Sequence, residues 1–504
     1  MTTAPATTGV GLRSERGPVL AAVMLSVGLV ALDSTIIATA VPSVVRDLGG
    51  FAHFPWLFSV YLLTTAVTTP LYGKLSDVLG RRPVMFFGIA VFLAGSVLCG
   101  FAWSMLTLII FRAVQGIGAG AVQPMSKTII GDLYTVEERA RVQGYVAGVW
   151  GVSSVIGPTL GGVFAEYLSW RWIFFVNLPL GAAAVWMLAR HFKENLERRP
   201  HRIDYLGAGL LISGCTLLIL ATLEGGVCWA WLSAPSIVIF TAGAALVVAF
   251  VFVERRAAEP VLPLWVFRHR TLVGGNLASL IVGGLLIGLS SYVPNFAQGV
   301  LGASAVVAGF VLAAMTLGWP LAATFSGRIY LRIGFRNTSL IGSVTIVAGS
   351  VMCAVLTQNT SIGTVAVACF IIGAGLGLMS APTLVAVQSV VGWDRRGVVT
   401  GTNMFFRSIG SAVGAAVFGA IANTTLDRRF SDAPADLHGQ LSSGADATNI
   451  VLKTGNARGP LADYVRTSLY DATHNVFVAL ALVAVLGVLV LLLMPRRTTQ
   501  LTFD

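Results

Sequence analysis

The sequence predicts an all-α integral membrane protein with fourteen spans, and three observations carry that reading. The 504 residues are 56% hydrophobic and only 11% charged, with a mean hydropathy of +0.82, whereas a soluble chain carries roughly a quarter charged residues. Apolar runs of about 20 residues, enough to cross a bilayer, recur along nearly the whole length. Two short segments, 73–84 and 327–338, repeat one spacing of glycines and arginine. No polar block is large enough for a soluble catalytic domain beside the spans. The net charge of +11 follows from basic residues flanking spans, so no nucleic-acid partner is expected.

Taken in order, residues 1–17 form a Thr/Ala-rich tail with Arg13 and Arg16. The apolar stretch behind it is too long for a signal peptide and reads as an anchoring span. Spans at 18–41, 56–76, 84–103, 105–127, 144–166 and 172–190 build a first six-helix bundle, 18–190. The polar, basic stretch 191–204 is a connector. Spans 205–225 and 236–254 are two inserted helices, 205–254, and 255–272 is a loop. A second six-helix bundle, 273–494, follows from spans 273–297, 304–326, 337–357, 363–391, 398–422 and 474–494. Its last two spans are separated by a polar loop, 423–473, with some helix expected near Leu461–Leu469, and residues 495–504 form a tail.

An even number of spans puts both termini on one side. With a cytoplasmic N-terminus, the inner segments and their adjoining span ends hold 23 of the 33 Lys and Arg; the outer loops hold 7, of which 5 lie in the long 423–473 segment. The positive-inside rule therefore places both ends in the cytoplasm. The five cysteines (Cys99, Cys215, Cys228, Cys353, Cys369) show no CxxC or Cys/His pairing, so neither a disulfide nor a metal is expected.

Gly73, Gly80 and Arg82 match Gly327, Gly334 and Arg336 in spacing, each set following the second span of a six-span unit. Spans 4 (GIGAGAVQP) and 12 (GAGLGLMSAP) are both glycine-rich and run into a proline. The pattern is an internal repeat, common in transporters. Leu331 stands in the second copy where the first has Asp77, so chemistry in that loop belongs to the first half.

The loop GKLSDVLGRR, 73–82, resembles the signature loop of the major facilitator superfamily. FRAVQGIGAG, 111–120, resembles that superfamily's span-4 motif, and GPTLGG, 157–162, its antiporter motif in span 5. LDSTIIATAVP, 32–42, is similar to the span-1 motif of the fourteen-span drug:proton antiporter family. The resemblance implies the major facilitator fold, two six-helix bundles plus two additional helices, with alternating access around a midplane cavity. It also implies a cytoplasmic latch at Gly73, Asp77, Gly80, Arg81 and Arg82, with Asp132 as a further charge partner, and a helix seal at Gly157, Pro158, Gly161 and Gly162. Independently, those glycines permit close helix approach and Pro158 removes a backbone donor.

Asp33 is the one acid deep inside a span, where a carboxylate costs about 2.5–3.5 kcal/mol on insertion scales. It lies nine residues before Pro42, and Arg112 lies eight after Ser104, placing both roughly 12–13 Å below the same surface. Because the resemblance implies that spans 1 and 4 both line the central cavity, that match predicts a direct or water-mediated pair. The pair reads either as a buried ion pair that fixes helix packing or, the preferred reading, as a site that couples protons and attracts a lipophilic cation. Tyr61, Gln115 and Gln123 in the first half and Tyr292, Asn295, Phe296 and Asn403 in the second are the candidate substrate-cavity residues, suited to stacking and adaptable hydrogen bonds. Arg407 is read as bonding carbonyls near the cytoplasmic side.

The expected protein is thus a multi-pass carrier of the inner (cytoplasmic) membrane, surrounded by lipid. It exports amphipathic, often cationic, drugs in exchange for protons and works as a monomer. It uses no cofactor, because GKLSD lacks the P-loop spacing. A carrier dedicated to one metabolite, siderophore or amino acid is the alternative. An enzyme is not expected: the six histidines are scattered along the chain.

Overall fold

A computed structural model describes residues 10–49, 53–54, 56–194, 204–224, 229, 233–434, 459–498 and 501. Parts of six predicted segments lie outside these: 1–9 of the N-terminal tail, 50–52 and 55 of the first bundle, 195–203 of the connector, 225–228 and 230–232 of the inserted pair (with Cys228), 435–458 of the polar loop, and 499–500 and 502–504 of the C-terminal tail. The described chain is helical and carries fourteen long helices. The first six are α1 (Gly17–Leu48), α2 (Trp56–Leu79), α3 (Arg81–Gly100), α4 (Met105–Leu133), α5 (Val136–Tyr167) and α6 (Trp172–His191). Next come α7 (Tyr205–Glu224) and α8 (Ala234–Glu254). The last six are α9 (Arg270–Asn295), α10 (Ala305–Ile333), α11 (Phe335–Ala354), α12 (Ile362–Ser389), α13 (Arg396–Ser431) and α14 (Pro460–Leu492).

Local chemistry explains several boundaries. Ser104 with Thr107, and Thr135 with Glu138, form reciprocal capping boxes at α4 and α5. Ser304 and Ser361 cap α10 and α12. Gly80 (φ 99°) and Gly334 (φ 84°) make the tight turns from α2 into α3 and from α10 into α11, a backbone region that L side chains avoid. The repeated glycine of the sequence is therefore a repeated backbone conformation. Prolines sit within equivalent helices as well: Pro42 and Pro294, Pro70 and Pro320, Pro124 and Pro382.

Packing repeats in the same way. In the first bundle α1 lies against α5 and α6, and α4 against α2 and α3; in the second, α9 lies against α13 and α14, and α12 against α10 and α11. The bundles meet through two equivalent seams, α2 with α13 and α5 with α10. The α7–α8 hairpin packs on α2 and α13, outside the first seam, through Leu63, Val67, Leu211, Phe250 and Phe405.

Both ends of the described chain sit at one end of the bundle, where Arg16 bonds Glu138 (3.0 Å) and the Leu501 N–H bonds the Val390 carbonyl (2.8 Å). We call this the basic end and the opposite one the distal end. At the distal end Asp47 accepts from Trp170 Nε1 (3.0 Å) and Arg171 (2.7 Å).

Two details depart from the expected spans. Thirteen of the described helices are long and apolar enough to cross a membrane, and α2 is the long helix not among them. Its four threonines, two tyrosines and Pro70 lower its hydropathy, and it is sandwiched between α4 and α13. The second departure is that α13 runs on to Ser431 and α14 begins at Pro460, so helix covers more of the 423–473 segment than the stretch expected near Leu461–Leu469, which lies within α14. Leu426, Phe430, Val465 and Leu469 bury a shared apolar face there, and Arg429 pairs with Asp471 at 2.5 Å. Amphipathic spacing hidden in a polar stretch explains why the segment reads as a loop.

Candidate functional site

Asp33 lies at the middle of the first bundle with about 1% exposure, as does Arg112. Arg112 Nη1 reaches Asp33 Oδ2 at 2.7 Å. Gln115 Nε2 (2.8 Å) and Asn177 Nδ2 (3.0 Å) both donate to Asp33 Oδ1. The same two amides donate to Ser96 Oγ at 2.7 and 2.9 Å. Arg112 further donates to Gln115 Oε1 (2.7 Å) and the Leu57 carbonyl (3.3 Å), and stacks over the Tyr61 ring at 4.2 Å. Residues of five helices, α1, α2, α3, α4 and α6, thus meet in one polar cluster, in which α4 and α6 supply the contacts to the carboxylate itself.

This arrangement resolves the cost of a membrane-buried acid. An ion pair stripped of water is stable only when its remaining valences are filled, and both Asp33 oxygens are filled. Gln115 and Tyr61, expected as cavity residues, belong to this cluster instead, the first fully buried and the second 4% exposed. Ser96 and Asn177 were not anticipated. An asparagine inside the otherwise apolar 172–190 run was the available signal.

The basic end carries a second network. Asp77 Oδ1 and Oδ2 accept from the Gly397 and Val398 N–H groups at 2.8 and 2.7 Å. The carboxylate therefore seats on the N-terminus of α13, where unpaired N–H groups and the helix dipole favour an anion. Arg81 bridges Asp77 (2.9 Å) and Asp132 (2.9 Å), donates to the Trp393 carbonyl (2.5 Å), and stacks on the Trp393 ring at 4.0 Å. Arg396, from the second half, pairs with Asp132 at 2.5 Å. Gly73 faces Gly397 and Gly401 so closely that a Cβ would lie 2.7 Å from the Gly397 carbonyl oxygen. Arg82 takes no part, bonding the Ala189 carbonyl at 3.0 Å. The partner loop 393–398 and Arg396 were not legible as latch residues, because they approach only through tertiary packing.

In α5, a Cβ on Gly157 would meet Thr35 Oγ1 at 2.1 Å, and one on Gly161 would meet the Ile36 carbonyl at 2.4 Å, whereas one on Gly162 meets nothing within 4 Å. Thr35 also bonds the Ser153 carbonyl (3.0 Å), tying α1 to α5. Gly157→Val and Gly161→Val are expected to lower the yield of folded protein and its melting temperature, as overpacking typically costs about 1–3 kcal/mol. Gly162→Ala should leave both unchanged in the same detergent melting assay.

A family model described as Major Facilitator Superfamily matches residues 23–415. The chain belongs to this superfamily. It is therefore a membrane transporter and not an enzyme. Among curated relatives of this facilitator, Multidrug resistance protein 3 of Bacillus subtilis is 34% identical, with 96% of each chain covered. Multidrug transporter protein MdtP of the same organism is 34% identical, covering 97% of this chain and 95% of the other. Efflux pump dotC of Dothistroma septosporum is 28% identical, covering 96% and 84%. The solved structure of the human organic anion transporter MFSD10 matches with a TM-score of 0.61 at 16% identity, over 95% of this chain and 99% of that one. At that identity the match speaks for the fold alone.

The other candidate cavity residues of this facilitator separate into two groups. Phe296 is fully buried in the second bundle, edge-on to Phe477 at 5.5 Å. Asn403 is 5% exposed and pins α13 to α9, donating to the Gly275 carbonyl (3.0 Å) and accepting from Ser279 (2.9 Å). Neither faces open space. Asn403→Leu should leave the Ser279 hydroxyl and the Gly275 carbonyl short of a partner, at about 1–3 kcal/mol, read as a fall in melting temperature. Gln123, Tyr292 and Asn295 are partly exposed and form no hydrogen bond among the described residues. Arg407, expected to bond carbonyls, donates to none among the described residues.

Proposed function

We propose that this facilitator is a proton-coupled exporter of amphipathic small molecules, with Asp33 as the coupling acid and the basic end in the cytoplasm. The observation that carries the reading is the buried Asp33–Arg112 pair at 2.7 Å, whose carboxylate accepts from two further side chains, Gln115 and Asn177, both of which also donate to Ser96 Oγ. Protonating Asp33 abolishes its attraction for Arg112 and frees a guanidinium, so one proton rearranges contacts among several helices of the first bundle. The latch on Asp77, Arg81, Asp132 and Arg396 supports an alternating-access cycle, since it joins the two halves at one end. Gln123, Tyr292 and Asn295 are the residues offered to substrate. The near full-length relatives named for multidrug resistance and efflux support export of drugs across the cytoplasmic membrane.

The test uses the purified full chain in proteoliposomes loaded with a pH-reporting dye. Addition of a transported amphipathic dye should move protons in the opposite direction, and a protonophore should collapse dye accumulation. Dye movement indifferent to both the pH gradient and the protonophore overturns the coupling.

A further inference from the structure

Lys127 and Arg407 are basic residues within the membrane-spanning helices that neither the Asp33 cluster nor the latch uses. Lys127 is on α4 in the first bundle and Arg407 on α13 in the second, and α4 and α13 are in contact. Lys127 lies six residues short of the basic end of α4 and Arg407 eleven residues into α13, roughly 9 and 17 Å above that end. Both residues are intermediate in exposure, whereas Arg112 is sealed inside its bundle.

Neither cation has a hydrogen-bonding or ionic partner among the described residues. The charge near enough to act on Lys127 is Arg407, of like sign, and no acid among the described residues pairs with Arg407. The acids on the surrounding elements are already engaged: Asp33 by Arg112, Asp77 by Arg81 and the α13 backbone, Asp132 by Arg81 and Arg396. The stretch 270–392, which builds α9 to α12, contains no Asp or Glu. Two like charges without a counter-ion at membrane depth repel each other and are poorly solvated. Gln388 Nε2, from the second half, donates to the Lys127 carbonyl (3.2 Å), so the backbone of Lys127 lies at the contact between the halves.

We infer that Lys127 and Arg407 form an anion-binding site between the two halves and that the transported molecules are lipophilic organic anions, carrying a carboxylate or sulfonate. The inference rests on the transport reading above and names its substrate class. It departs from the cationic substrates that a lone intramembrane acid suggests, because Asp33 is already neutralised by Arg112 and offers no free negative charge. Arg407 presents a planar fork for two carboxylate oxygens and Lys127 a compact third donor. Gln123 stands one turn from Lys127 on the same face of α4, available for the anion's polar substituents. An anion seated there contacts both halves at once, so its arrival or departure changes how they attract each other.

Two dyes of one ring system separate the classes: fluorescein, a carboxylate, and rhodamine 6G, a cationic ester. Binding is read by fluorescence anisotropy on the full chain in detergent, and exchange in the pH-reporting proteoliposomes. Wild type should bind fluorescein more tightly than rhodamine 6G. Lys127→Gln or Arg407→Gln should each weaken fluorescein binding by about tenfold or more, a change of roughly 1.4 kcal/mol, with rhodamine 6G binding unchanged or tighter. Lys127→Arg and Arg407→Lys should restore most of the fluorescein affinity. Melting temperature should hold or rise in the neutral variants, since an unpaired charge is being removed; a fall in both would mark the two residues as structural and overturn the site. Undiminished fluorescein binding in the double variant overturns it, as does a wild type that binds only rhodamine 6G. In that last case proton-driven rhodamine export would leave the exporter reading standing. Fluorescein bound through Lys127 and Arg407 but never exchanged for protons would instead sink the exporter reading and keep the site.

Discussion

Asp33→Asn is expected to abolish proton-coupled transport while leaving a folded protein in the membrane. Asparagine keeps the shape and an acceptor for Gln115 or Asn177, but removes both the titratable group and the negative charge opposite Arg112. Stranding one partner of a buried ion pair costs about 3–5 kcal/mol, so the single variant should also melt at lower temperature. The double variant Asp33→Asn/Arg112→Gln removes the stranded charge and should recover much of that stability without recovering coupling. Transport that keeps its dependence on the pH gradient in Asp33→Asn would relegate the pair to helix packing. Transport lost in the single variant and regained in the double would mean that charge balance, not protonation, is what Asp33 supplies.

The second large effect is expected at Gly73. A Cβ there lies 2.7 Å from the Gly397 carbonyl oxygen and 3.2 Å from Gly401 Cα, so Gly73→Val cannot be absorbed by a side-chain rotation on the facing helix. The clash prevents α2 and α13 from closing at the basic end, separating Asp77 from the Gly397 and Val398 N–H groups. Distances between spin labels on those two helices at the basic end should lengthen, and transport should fall by about tenfold or more, since about 1.4 kcal/mol is a factor of ten in a conformational equilibrium. Asp77→Asn should act in the same direction but more weakly, because an amide oxygen still accepts from α13 while the attraction to Arg81 is lost. A basic end that stays closed in Gly73→Val would contradict the close approach as the determinant of the closed state.

Some of this was legible in the chain because membrane burial leaves few ways to use a charged residue. Asp33 and Arg112 could be paired by matching depth, since each residue of a helix advances about 1.5 Å, together with the family resemblance, which puts spans 1 and 4 both on the central cavity. The turn glycines Gly80 and Gly334 were visible as a repeat because a positive φ admits little else. Gln115 was recognised as unusual but assigned to open space, since its amide points into the bundle only once α3 and α6 supply Ser96 and Asn177. Phe296 and Asn403 were misplaced similarly, through side-chain direction that linear spacing does not carry.

What the sequence determined by itself is the helical class, the repeat, the family's motifs and the pairing of the one deep acid. Each follows from short-range constraints: an apolar length, a backbone angle, a cost per buried charge. Tertiary structure alone decided which groups remain unsatisfied. Asp33 is saturated by Arg112, Gln115 and Asn177 from two other helices, and Asp77 is seated on a helix from the other half. Lys127 and Arg407, on contacting helices of the two halves, have no acidic partner among the described residues. Satisfaction of a charge depends on partners hundreds of residues away in the chain, and only packing brings those into reach.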